Sequence, residues 1–504
     1  MDIETLTLKG LDQDAVRAWS RALGDPDWFL ARRLEALAAL GKLERPSNRE
    51  EAWRFTDPKR AGLDRHRILR AGGPATAEGA HVLAAGHADA ASGGDVAGTE
   101  LEPAGLVATV DGAGAEAFLD PDLAARGVIL TDLATAVREH AGLVEPRLMT
   151  SAAPFAEDWF LALHATLVTT GAFLYVPRGV EVAVPIGVLQ RRTTAGATFA
   201  HTLVVVEPEA SLTLVQQHGS PQDLGGRAFH HGVTELLVGE RASVQYLSLQ
   251  EWGSEQVNHF AVQRAMVGRQ ARFRSFVVTL GGGVVRVSPE VVLGEGAEAD
   301  LLGAVFADAG QRFEHRANVT HAEAHARSSV LYKAGLLGGS RNIFNGNLII
   351  SPGARGTDAG QTMRNLVLSR DAHAEANPFL EILNSDVKAA HAAATGRVDD
   401  LHLFYLESRG IPRRTARRLV VFGFFEEVLA QVSVPAVRRR LEAALEAELE
   451  AAEGSGEPQG GAPVDREGSG EPQGGAPVKR AVARSTRPRR GPRPRPGGPW
   501  GRRP

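Results

Sequence analysis

Sixteen histidines and no cysteine decide what metal chemistry this 504-residue chain can offer. Without thiolates it can form no disulfide and offers a metal no thiolate, so imidazole nitrogen is the donor to look for. His391 is the first candidate. It stands in KAAHAAATG (388–396), where nearly every neighbour is small, so its ring projects from its surroundings and is free to take a ligand or metal. His315, His321 and His325 in EHRANVTHAEAHA form a second set. Residues of one parity on a strand share a face, so these three could line a row of ligands, although a hydrogen-bonded histidine ladder explains the pattern more simply. The neighbours His230 and His231 would point apart on a strand. Asp399 and Asp400 form the carboxylate pair a sugar-cleaving β-helix enzyme would need, but adjacent side chains diverge and their setting reads as a turn or helix start. Gly281–Gly283 is not followed by the Lys-Ser/Thr of a phosphate loop, so ATP hydrolysis by this chain itself is not expected.

The elements that would hold these residues repeat. Between Gly171 and Arg370, short runs of Val, Leu, Phe and Thr such as AFLYVP (172–177) and TLVVVEP (202–208) are punctuated by Gly, Pro, Asp and Glu, the pattern of strands. A small turn recurs at Ala210, Ala242, Ala271, Ala299, Ala326 and Ala354, at spacings of 32, 29, 28, 27 and 28 residues. Such a period marks a solenoid, whose units bury their apolar faces only by stacking. Two or three strands fit each unit, with alternate residues inward in LTLVQ (212–216), VQYLSL (244–249) and FRSFVV (273–278). A mainly β fold with a parallel β-helix core over 151–395 is therefore expected; a stacked sandwich shares the periodicity, and the near-constant spacing favours the solenoid.

Helical pieces flank that core. Over 1–70, Asp14–Leu40 reads as two helices broken at Gly24–Pro26, with Phe29, Leu30, Leu34, Leu37 and Leu40 on an apolar face. In REEAWRFTD (49–57), Trp53 and Phe55 should pack while Arg54 pairs with a carboxylate. Residues 71–150 read as a poorly defined Ala/Gly-rich connection with short strands. Over 396–452, Pro412–Gln431 carries a stripe of Ala416, Leu419, Val420, Phe424 and Val428, and Pro435–Ala452 one of Val437, Leu441, Ala444, Leu445 and Leu449. Phe422 and Phe425 fall off the first stripe, leaving aromatic surface for a partner or for the second helix to cover.

The segment Asp371–Val428 resembles the C-terminal signature of the SufB/SufD family of iron–sulfur cluster assembly scaffolds. The matching pieces are PFLEI (378–382), Asp386-Val387-Lys388, His391, Ala394-Thr395-Gly396 and LFYLESRGI (403–411). REEAWRFTD is similar to the SufD-type N-terminal motif, and Ala390 and Ala392 stand where SufB-type chains carry glutamates, so the resemblance is to the SufD type. Ala389 occupies the position of a cysteine found in most SufD relatives, and Met363 that of the essential SufB-type cysteine. The resemblance implies a right-handed β-helix between helical end pieces. It also implies a non-catalytic scaffold subunit in a complex with a SufB-type scaffold and a SufC-type ATPase, which hydrolyses the ATP. In that picture His391 is a nitrogen ligand for iron or cluster at the SufB-type junction. The C-terminal helical end docks the ATPase, with Leu403, Phe404, Tyr405, Arg409, Phe422 and Phe425 as partner-contacting residues. No cofactor would be held stably by the chain alone, and an iron–sulfur cluster would be transient at the interface. Alone, the chain is expected to be capable of pairing as a homodimer.

With 43% hydrophobic residues the chain can bury substantial cores, and its formal charge of −4 is unevenly spread. Lys479–Pro504 contains ten Lys or Arg and no acid, leaving −14 on the rest, from −4 − 10. EGSGEPQGGAPV occurs at 453–464 and again at 467–478, so 453–504 is expected to be a disordered repeat and basic tail. Its arginines could bind nucleic acid, but a solvated extension is the simpler reading. The N-terminus lacks a basic and apolar leader and no apolar run reaches the roughly 18–20 residues of a membrane span, so a cytoplasmic protein is expected.

Overall fold

The computed structural model describes residues 6–69, 103–253 and 255–454. From residue 455 on, the repeat and basic tail lie outside the described residues. The first strands are β1 (Gly105–Val110), β2 (Ala113–Leu119), β3 (Ile129–Asp132), β4 (Thr170–Val176), β5 (Ile186–Arg191) and β6 (Gly196–Val206). Next come β7 (Ser211–Ser220), β8 (Ala228–Val238), β9 (Ser243–Trp252), β10 (Val257–Val267), β11 (Arg272–Gly281), β12 (Val284–Leu293) and β13 (Glu298–Ala307). The stack finishes with β14 (Arg312–His321), β15 (Arg327–Leu336), β16 (Arg341–Ile350), β17 (Thr357–Val367), β18 (His373–Ile382) and β19 (Val387–Arg397).

From β4 onward, even-numbered strands form one sheet and odd-numbered strands the other, each strand parallel to the next in its sheet. One coil therefore takes two strands, and the chain is a parallel β-helix. Alternation decides which side chains enter it: Val244 and Tyr246 on β9 and Val285 and Val287 on β12 belong to one continuous apolar core. A left-handed residue followed by a buried alanine turns the chain at Glu209–Ala210, Arg241–Ala242, Gln270–Ala271, Gly296–Ala297 and His325–Ala326. The fourth turn thus uses Ala297 rather than Ala299, which lies within β13. Both alanines are buried with the same parity, so spacing alone cannot separate them. In the next coil the left-handed residue is Gly356, where a Cβ would fall 2.4 Å from His325 Nδ1.

The start of the stack is closed by the chain itself. β1 pairs in parallel with β5 and antiparallel with β2, while β3 pairs antiparallel with β4. These strands lie in the stretch read as a poorly defined connection. Their Ala and Gly give little apolar signal, and pairing with the coil supplies the order. Short helices α3 (Pro121–Ala125), α4 (Leu133–Glu139) and α5 (Ala141–Val144) follow the N-terminal α1 (Gln13–Leu23) and α2 (Asp27–Leu40). Asp12 caps α1 and left-handed Gly24 ends it.

α6 (Trp159–Leu167) is buried at every position and covers the even sheet, where Phe160 meets Phe260 and Trp53. The Arg286 guanidinium lies 3.8 Å from the centre of the Trp53 ring and donates to the Ala52 carbonyl at 2.8 Å. Arg286 is thus the arginine that holds the REEAWRFTD motif to the coil. Arg54 finds its carboxylate in exposed Glu51, at 4.0 Å, a pairing of little consequence in water, and its guanidinium lies 5.3 Å from the centre of the Phe55 ring.

Three C-terminal helices follow, α7 (Asp400–Ser408), α8 (Arg413–Leu429) and α9 (Pro435–Gly454); α8 and α9 cover the odd sheet and α7 packs on α8. Val421, Phe425, Val428 and Leu429 of α8 join Val437, Leu441, Leu445 and Leu449 of α9 against Leu249, Val278 and Leu302 of the coil. Lys333 on β15 donates to the Phe424 carbonyl at 2.6 Å, and Arg440 pairs with Glu251 at 2.9 Å.

Candidate functional site

The last coil has no such cover. β18 and β19 end their sheets, so one side of each backbone meets no further strand among the described residues. β19 is exposed along most of its length, and Phe379, Ile382 and Leu383 are 55%, 44% and 54% exposed. His391 sits on this edge, in register with Gln361 of β17. Gln361 is buried in the interior with Ala359 and Met363, and partners in a parallel ladder face the same way. Val387, Ala389, His391 and Ala393 therefore continue the inner face. The ring ends the lumen and is exposed, as its small neighbours suggest, because no further strand covers it among the described residues.

Directly below His391, both polar atoms of the buried Gln361 amide lack a protein partner. Gly346 makes room for that amide, since a Cβ there would fall 1.8 Å from Gln361 Nε2. An unpaired buried polar group costs about 1–3 kcal/mol, which a group arriving across the open end would offset. Met363 is a buried thioether in the same interior. A second polar row, Glu314–Asn345–Asn377, runs outward to the edge through bonds of 2.9 and 3.2 Å.

The helical end presents a different selection of residues from the one the sequence suggests. On α7, Phe404 and Tyr405 are 67% and 57% exposed, joined by Leu401 at 69%. The Arg409 guanidinium lies 5.3 Å from the centre of the Tyr405 ring. Leu403 and Phe425, by contrast, are buried, and Phe422 is partly buried against the same cluster. Phe425 fills a slot beside Gly335, where a Cβ would come within 3.2 Å of its ring. The coil wall, rather than α9 alone, rotates α8 and exposes Leu419 instead. Phe425 therefore belongs to the core against the coil, and Leu403 is covered within the helical end.

The other candidates separate. Asp399 caps α7 by accepting from Leu401 N at 2.8 Å and Asp400 begins that helix, so the pair has no shared site. His315 and His321 are buried and bond separately, to Thr279 and Ser328 at 2.9 Å each, while His325 forms a turn. His231 belongs to a buried chain running Glu235–His201–His164–His231, with contacts of 3.1, 3.3 and 2.9 Å. Glu235 also accepts from the amides of Met149 and Ala153 at 2.7 and 2.8 Å, so this chain ties α6 and its approach to the sheet. Sequence reasoning missed a further convergence, His218, His230 and His259 inside the first coils. Only the coil register brings those three together.

Comparison with known proteins agrees with this architecture. Residues 189–424 match the family model described as "SUF system FeS cluster assembly, SufBD core domain", and residues 103–188 match "SufBD protein N-terminal region". The iron–sulfur cluster assembly protein SufD of Bacillus subtilis is 31% identical over 448 residues, covering 87% of this chain and 98% of that protein. An iron–sulfur cluster assembly SufBD family protein of Mycobacterium bovis is 41% identical over 299 residues, 57% of this chain and 72% of the relative. One from Mycobacterium leprae is 39% identical over 295 residues, 56% and 72% of the two chains. The chain belongs to the SufB/SufD family of iron–sulfur cluster assembly proteins and is of the SufD type.

Proposed function

We propose that this SufD-type chain is a scaffold subunit that works with a SufB-type scaffold and a SufC-type ATPase, and that its open last coil is the junction with the SufB-type partner. The carrying observation is the uncovered pair of edges β18 and β19 with His391 ending the lumen above an unpaired Gln361 amide. Such edges are templates for another chain. The alanines around His391 let a second backbone approach closely.

In this reading the iron–sulfur cluster is cargo. His391 offers a ring nitrogen to it or orients a ligand across the junction, and the thiolates come from the partner, since the chain has none. Phe404, Tyr405 and Leu401 on α7, with Arg409, form a surface suited to the ATPase. The complex is assigned to the cytoplasm, with nucleic acid no part of it and a homodimer formed through the same edges when the partner is absent. Among the described residues no helix is long and apolar enough to cross a membrane.

Co-expression with the two partners tests the reading. The three proteins should purify together, and His391→Ala should keep the complex and its ATPase activity while cluster yield collapses. Failure of the wild-type chain to capture either partner would refute the scaffold role. Normal cluster yield from the variant would remove His391 from the site.

A further inference from the structure

In the first coils the lumen holds a cluster of buried histidines. His218 on β7, His230 on β8 and His259 on β10 meet there, with 3%, 3% and 0% exposure. His230 and His259 are register partners, and one ligand nitrogen from each of the three rings lies within 4.8 Å of the others. The ring centres are 5.5 Å apart for His218–His230, 5.0 Å for His218–His259 and 4.9 Å for His230–His259. A tetrahedral ion about 2.0–2.1 Å from each of three ring nitrogens would set neighbouring ring centres about 5.2 Å apart. The observed spacings bracket that value.

Each ring also keeps a buried nitrogen with no protein partner: Nδ1 of His218, Nε2 of His230 and Nε2 of His259. The opposite nitrogens of two rings are anchored. Thr198 Oγ1 lies 2.9 Å from His230 Nδ1, and Trp252 Nε1 donates to His259 Nδ1 at 3.1 Å. The Thr198 hydroxyl can accept from His230 Nδ1–H, the kind of contact that orients a ligating imidazole, whereas the Trp252 bond to His259 holds the metal-free tautomer and must give way on ligation. Gly232 leaves the space open, since a Cβ there would lie 3.3 Å from His259 Nε2 and 3.5 Å from His230 Nε2. Gln250, in register with His218, and Ser220 have unpaired polar atoms that can hold a water in the same lumen. Burial keeps all three rings neutral, the form that binds metal without proton competition.

We propose that His218, His230 and His259 form an internal three-imidazole site for a divalent first-row transition-metal ion, with a fourth position open to water. This site needs only this chain, so it stands or falls separately from the partner junction. Trp252 can only donate, which places the His259 proton on Nε2 in the metal-free chain. Ligation at Nε2 moves that proton to Nδ1 and breaks the indole hydrogen bond, so Trp252 fluorescence reports loading.

The full chain, unfolded in chelator and refolded with zinc(II), should retain about one ion per chain by elemental analysis. X-ray absorption at the zinc edge should show nitrogen neighbours at about 2.0–2.1 Å with imidazole scattering. Zinc should change indole fluorescence in the wild type and not in Trp252→Phe. His230→Ala or His259→Ala should weaken binding on the order of 100-fold, with His315→Ala unchanged. The wild-type spectrum decides the matter even if a variant fails to fold. No retained ion, an oxygen-dominated shell, or equal retention by a chain with all three histidines replaced by alanine would overturn the proposal.

Discussion

The two ends of the coil stack are built from the same unit and finished in opposite ways. At the start, β1 pairs with β5, β2 with β1 and β3 with β4, and Trp53, Phe160, Phe199, Phe229 and Phe260 form one buried cluster beneath the N-terminal helices. At the other end, β18 and β19 carry the same alternation outward and stop with Phe379 and Leu383 exposed. A solenoid unit satisfies its backbone and its apolar face only through neighbours. The chain folds β1 to β3 over one end, and on the proposed reading a second molecule covers the other, so stability should concentrate in one region and assembly in the other.

The largest contrast should appear on truncating an aromatic in each region. Phe229→Ala removes a fully buried ring and should lower unfolding free energy by about 3–5 kcal/mol in a denaturant titration. Phe379→Ala should change stability by no more than about 0.5 kcal/mol while weakening capture of the SufB-type partner at least tenfold. Equal stability losses at the two sites would erase the distinction.

Acid should act on the closed interior next. Burial lowers His315 and His321 from 6.5 to about 4. Between those values the unfolded chain binds the extra protons, so stability is full above pH 6.5 and falls as pH drops towards 4. Each histidine should cost about 3 kcal/mol by pH 4. His315→Gln should flatten that part of the pH profile of melting temperature; an unchanged profile would contradict the burial argument. The smallest effect belongs to the tail: stopping the chain after Glu453 should shift unfolding by no more than about 0.5 kcal/mol and leave partner capture intact, measured on one preparation.

Much of this architecture was legible in the sequence because its causes are local. The turn alanines recur at a near-constant period, and Gly24 marks the end of α1 through its own backbone freedom. The face of α8 was not legible, since its alternative apolar stripes differ only in what the coil wall offers, here the slot beside Gly335. The small neighbours of His391 correctly announced exposure but could not give direction, which comes from its register with Gln361. His218, His230 and His259 lie 12 and 29 residues apart on three strands, so no local pattern could unite them.

The central claim is that the open last coil is the partner junction. Amide hydrogen exchange of the full chain, alone and with the SufB-type partner, addresses it directly. Strong new protection at 373–382 and 387–397, with little change across β6 to β10, is the predicted result. Unchanged exchange in those two strands within a complex shown to be assembled would contradict it.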